Sequence, residues 1–166
     1  MDKFLDKLEN YNILNYILPA IIFISGFKYY IGIDINMGDN VISQFFILYF
    51  IGLVLSRIGS LIIKPILAKL NIANQKQGVS YAEFFKAESK DAKIKILFAN
   101  YNMYRTFIAV FCLLLILKPL YVLKNYFNIE STICITIGII LLIILFICSY
   151  KKEFDHIQNR IKNTKE

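Results

Sequence analysis

Arg57 is the residue whose surroundings ask most for an explanation. It stands in a run from Val41 to Ile63 that carries no other charge, about seven residues, or about 10 Å of helix, before Lys64. An arginine inside an apolar span costs a few kcal/mol and marks a functional site by default, unless its long stem carries the guanidinium out to the headgroups. None of the apolar blocks contains Asp or Glu. A partner for Arg57 must therefore be a lipid phosphate, a backbone carbonyl, water or the end of a neighbouring helix. Around it lies a row of small residues, Gly52, Ser56 and Ser60 at four-residue spacing with Gly59 beside them. Small residues let helix backbones approach closely in lipid. The row predicts either packing against another helix of the same chain or a seam between copies that would gather several Arg57 side chains around one axis.

The remaining charged residues suggest docking rather than catalysis. Arg105 opens a later apolar block, where it anchors at an interface together with Tyr101 and Tyr104. Lys86, Lys90, Lys93 and Lys95 form a basic face, partly balanced by Glu83, Glu88 and Asp91. Such a face is usually solvated, or it docks on anionic lipid or an acidic protein partner. Interleaved acids and the absence of a stacking platform argue against direct nucleic-acid binding. A lone histidine, His156, sits in the charged tail. Cys112, Cys134 and Cys148 fall inside apolar blocks with no paired spacing, as small hydrophobes do. There is no His-Glu metal pair, Ser/His/Asp set, phosphate-cradling glycine loop or pair of carboxylates. The expectation is a non-enzymatic protein with no catalytic residue, metal or cofactor.

The elements that must position these residues follow from composition. The 166 residues are 57% hydrophobic and 19% charged, with a mean hydropathy of +0.55. Typical globular chains are about 45–50% apolar and about 25% charged. The excess is gathered into four long blocks, which predict an all-α polytopic membrane protein with spans at about 11–30, 41–63, 103–123 and 131–150. Pro19 lies inside the first, where it predicts a kink rather than a break. Residues 1–10 form an amphipathic leader without a cleavage site. Ser80 and Glu83 have capping-box spacing and start a helix that continues into the third span. Residues 64–102 form the one long hydrophilic region, and Lys151 and Lys152 stop the fourth span ahead of an amphipathic tail, 151–166.

Four spans fix the charge balance across the membrane. The leader, the central region and the tail hold fourteen Lys or Arg, whereas the two opposite turns hold Lys28, Lys118 and Lys124. By the positive-inside rule both termini are cytosolic. The formal charge of +7 then reports topology and contact with anionic headgroups. An Ile-, Lys- and Asn-rich composition is that of a low-GC bacterial genome, which places the protein in a bacterial inner membrane. A faint echo links Asn10-Tyr11-Asn12 to Asn100-Tyr101-Asn102, ninety positions on, and at that offset Lys28 meets Lys118.

In layout the chain resembles the small four-span membrane components of bacterial antiphage systems, such as the membrane subunit of the Kiwa system. That likeness is carried by hydropathy over the whole chain and transfers no functional residue. It implies an oligomeric sensor or effector subunit that couples to a cytosolic protein through its central region. The other readings are a channel or transporter acting alone, with a path lined by Arg57, Ser43, Gln44, Thr132 or Thr136, and a scaffold subunit of a larger complex.

Overall fold

The computed structural model describes residues 13–72, 92–128 and 130–164, and every regular element among them is helical. Four helical segments result. Helix α1 covers 13–31, α2 is Val41–Lys69, α3 is Ala92–Tyr126 and α4 is Ser131–Thr164. Three stretches among the described residues, Val41–Lys69, Ile96–Tyr126 and Ile133–Lys152, are long and apolar enough to cross a membrane. The amphipathic leader, the Ser80/Glu83 capping box, Lys86 and Lys90 lie outside the described residues.

Prolines set the local character of the first two helices. Pro19 and Pro65 each lack a backbone N–H and crowd the carbonyl four residues back. Each is preceded by a five-residue π-helical stretch, Ile13–Ile17 before Pro19 and Gly59–Ile63 before Pro65. A wider turn absorbs the ring, as local π adjustments do in apolar helices. Helix α1 thus runs through Pro19 without a break. Helix α2 likewise does not end at Lys64-Pro65 but continues to Lys69. The α4 helix similarly passes Lys151 and Lys152 and reaches Thr164, so the tail is an extension of the same helix.

Short turns join the segments. Gly32, at φ 85°, ends α1 in the left-handed conformation that favours glycine. Asn40 caps α2, its side chain accepting from the Ile42 N–H at 2.9 Å. Asn128 takes φ 50° in the α3–α4 turn.

Pair contacts fix the directions. Gly26 of α1 meets Leu114 of α3, and Tyr30 lies under Lys118, an offset of 88 residues both times, so α1 and α3 run parallel. Phe50 stacks near Phe146 and Ser60 meets Lys152, so α2 and α4 are parallel to each other. The α1–α3 register lies close to the ninety-residue echo in the sequence. Leu55, Val110 and Leu114 form the core, flanked by Ile22, Phe23, Phe27, Ile51 and Leu113. Helices α1, α2 and α3 therefore make a three-helix unit. Helix α4 leans on α2: only 6% of its apolar stretch is buried in the chain, against 22% for α2 and α3.

Candidate functional site

The small-residue row on α2 is used within the chain at two of its four positions. A Cβ on Gly52 would overlap the carbonyl oxygen of Tyr16 and lie 2.6 Å from its Cα. Glycine is needed here because two helix backbones touch. Tyr16 and Tyr49 pack edge to face beside this crossing, with ring centroids 5.3 Å apart. At Gly59 a Cβ would come within 3.3 Å of the Arg105 carbonyl oxygen and 3.5 Å of its Cγ. The seam read as a place for a second copy is thus covered at Gly52 by α1 and at Gly59 by α3. Ser56 is half-buried, and Ser60 faces α4.

Ser60 leads to the cluster that sequence reading did not assemble. The Lys152 Nζ of α4 donates to the Ser60 carbonyl at 2.9 Å and also to its hydroxyl. Arg105 of α3 lies across the same π-helical stretch, its stem against Gly59. One turn beyond Ser60, Lys64 is half-buried and within electrostatic reach of Arg105. Three cations from three helices, Lys64, Arg105 and Lys152, thus surround residues 59–64. Lys152 had signalled only the end of a span, because nothing in a linear pattern tells which helix a stop residue will touch. Ser60 was visible only as a small residue.

Arg57 is half-buried one turn before this cluster and twelve residues from the end of α2, about 18 Å of helix. The depth counted to Lys64 was shorter because α2 continues through Pro65. Lys93 is exposed near the start of α3, and Lys95 follows on the same turn.

The residues offered as a pore lining are not brought together. Gln44 donates its amide to the Gly38 carbonyl at 2.7 Å, which ties it to the α1–α2 turn, and Ser43 is exposed beside it. Arg57 is more than three turns away along the same helix, about 20 Å. Thr136 is exposed on α4, and Thr132 is in that helix's first turn.

Buried polar side chains cluster toward the Lys152 end. Asn15, Asn102, Thr106 and Ser149 are each 7% exposed or less. The Thr106 hydroxyl donates to the Asn102 carbonyl at 2.9 Å, one turn back on its own helix. The 88-residue register brings Asn15 level with Asn102 and Met103. Polar groups between apolar helices hold them in one arrangement, because few alternatives satisfy them. Their signal in the sequence was the asparagines flanking the first and third blocks, which carried no sign that they faced inward.

At the opposite end the cations have other neighbours. Lys28 forms an exposed ion pair with Asp34 at 2.6 Å. Lys118 lies over the Tyr30 ring, 4.1 Å from its centroid, a cation–π contact between α3 and α1.

Among the described residues no group of three or more His, Cys, Asp or Glu side chains could hold a metal ion. No family model matches the chain, and comparison with curated proteins and with solved structures finds no match either.

Proposed function

We propose that the chain is a four-span protein of a bacterial inner membrane, with both termini in the cytosol. It acts without enzymatic chemistry as a subunit of a signalling or antiphage system. The observation that carries this reading is the sorting of charge by the register. Parallel α1 and α3, with α2 and α4 antiparallel to them, put Lys64, Lys69, Arg105, Lys151 and Lys152 at one end. Lys28, Lys118 and Lys124 fall at the other. That sorting matches the positive-inside rule without reference to the hydropathy blocks from which four spans were drawn. Helix α1 is the fourth crossing, a continuous 13–31 segment that packs inside the unit.

Nearly all of the polar sequence then lies on the cytosolic side: the leader, 64–102 and the tail. Turns of the size of 32–40 leave little room for an external receptor, so what the protein senses or recruits is cytosolic or within the membrane. Coupling runs through the central region and its basic face, Lys86, Lys90, Lys93 and Lys95. Helix α4, with its lightly buried flank, supplies the surface for assembly into an oligomer.

Reconstitution into liposomes tests the reading. Flux silent in the protein alone and started by a cytosolic protein or trigger supports an effector subunit. Constitutive flux assigns a channel, and no flux under any condition assigns a scaffold. Reporter fusions placed after Asn36 and Asn74 test the topology; a reporter at Asn74 that is active outside the cell overturns it.

A further inference from the structure

We propose that the cluster at residues 59–64 is a binding site for the phosphate of an anionic phospholipid, held by Lys64, Arg105 and Lys152 at the cytosolic end of the helices. It rests on the membrane placement above and names a ligand for one spot in it.

Three helices supply the cations, so the site exists only in the folded chain. Lys152 is preset by its bonds to the Ser60 carbonyl and hydroxyl. The Arg105 stem is fixed against Gly59, where a methyl group would already crowd its backbone at 3.3 Å. Lys64 follows one turn later, and its charge and that of Arg105 repel each other from facing helices. An anion placed between them turns that repulsion into attraction, and charged donors are the strongest partners for phosphate oxygens.

The chain offers no carboxylate of its own from these helices. No Asp or Glu occurs in 41–82, 92–129 or 131–152. The site opens at the level where apolar helix gives way to polar sequence, with Ile62 and Ile66 exposed beside it for an acyl chain. A basic pocket between helices on the cytosolic side is the setting in which lipid headgroups bind. Here the lipid would also join α4 to α2 and α3, because Lys152 is the cation that α4 contributes.

The test uses the full chain in lipid nanodiscs. A photoactivatable phosphatidylglycerol is cross-linked to the wild type, and the adducts are mapped by mass spectrometry. Adducts on 59–66, Arg105 and Lys152 are expected. Adducts spread over Lys28, Lys118 and Lys124 as well would overturn the site. Lys64→Gln, Arg105→Gln and Lys152→Gln should each lower the retained anionic lipid, counted by native mass spectrometry, by about tenfold, the factor that 1.4 kcal/mol represents. Lys118→Gln and Lys124→Gln should leave it unchanged. A triple Gln variant that keeps its helicity and retains lipid like the wild type would also overturn the proposal.

Inorganic phosphate in excess serves as the competing arm. Competition equal to that of the lipid reassigns the site to a soluble phosphate and rejects the lipid. If the wild type itself washes off membranes in alkaline carbonate, the membrane placement fails. If it stays bound and gives no adducts at the cluster, only the site fails.

Discussion

The two ends of the helical unit handle positive charge in different ways. At the Lys118 end each cation has a neighbour that suits it: Lys28 pairs with Asp34 six residues away, and Lys118 rests on the face of Tyr30. At the Lys152 end three cations from three helices gather around one widened turn, and the helices that bring them carry no acid. The first arrangement is complete within a turn and a helix pair. The second accumulates like charge where the backbones are locked, and so points outward to an anion. Charge that is locally compensated reports structure; charge that the fold concentrates reports a ligand.

The sharpest way to break this contrast is to remove the lock. Gly52→Leu sets a side chain into the Tyr16 backbone and should cost about 3 kcal/mol or more by overpacking, read as lost resistance to unfolding in mild detergent. Gly138→Leu meets open space on α4 and should leave the protein unchanged, which separates a packing effect from lower helix flexibility. If both variants behave alike, the α1–α2 crossing is not where described.

Leu55→Ala is next. It empties part of the core against Val110 and should cost roughly 2–3 kcal/mol in the same assay, whereas Leu141→Ala, 60% exposed, should cost almost nothing. Equal losses would mean that α4 is buried as deeply as α2.

A smaller effect is expected from Lys152→Gln. It removes charged donors from the Ser60 carbonyl and hydroxyl, worth roughly 1.5–3 kcal/mol in a shielded site and less where water reaches. The change should appear as faster amide exchange in α4 while α1–α3 keep their protection. Uniform loosening of all four helices would remove the special role of this contact.

The smallest effect belongs to the other end. Asp34→Asn breaks an ion pair whose side chains are 53% and 66% exposed, and the unfolding midpoint should not move measurably. A clear shift there would erase the distinction between the two ends.

Much of this was legible beforehand because lipid and backbone leave few choices. Uncharged runs of about twenty residues dictate helices, and their starts at 41 and 131 coincide with the observed ones. Their ends were harder to place. Lys64-Pro65 reads as a stop by composition, yet a π-helical stretch absorbs the proline and α2 continues to Lys69. Lys151-Lys152 also reads as a stop, but long charged side chains do not break a helix. The basic face at 86–95 was legible as charge, and only Lys93 and Lys95 of it fall on a described helix. Gly52 and Gly59 were legible as close-packing positions, since absence of a side chain is visible in a sequence. Which backbone would occupy each was not, because Tyr16 is 36 residues from Gly52 and Arg105 is 46 from Gly59.

Sequence by itself determined the helical class, the long apolar stretches and the unequal distribution of Lys and Arg, because each depends on composition along one segment. Tertiary structure alone decided that α1 and α3 lie parallel at a common depth, that α4 stands at the margin, and that Lys64, Arg105 and Lys152 meet around Ser60. Those outcomes depend on which faces fit together. Helix packing in an apolar setting is settled by contact shape, a property of pairs of helices that neither member carries alone.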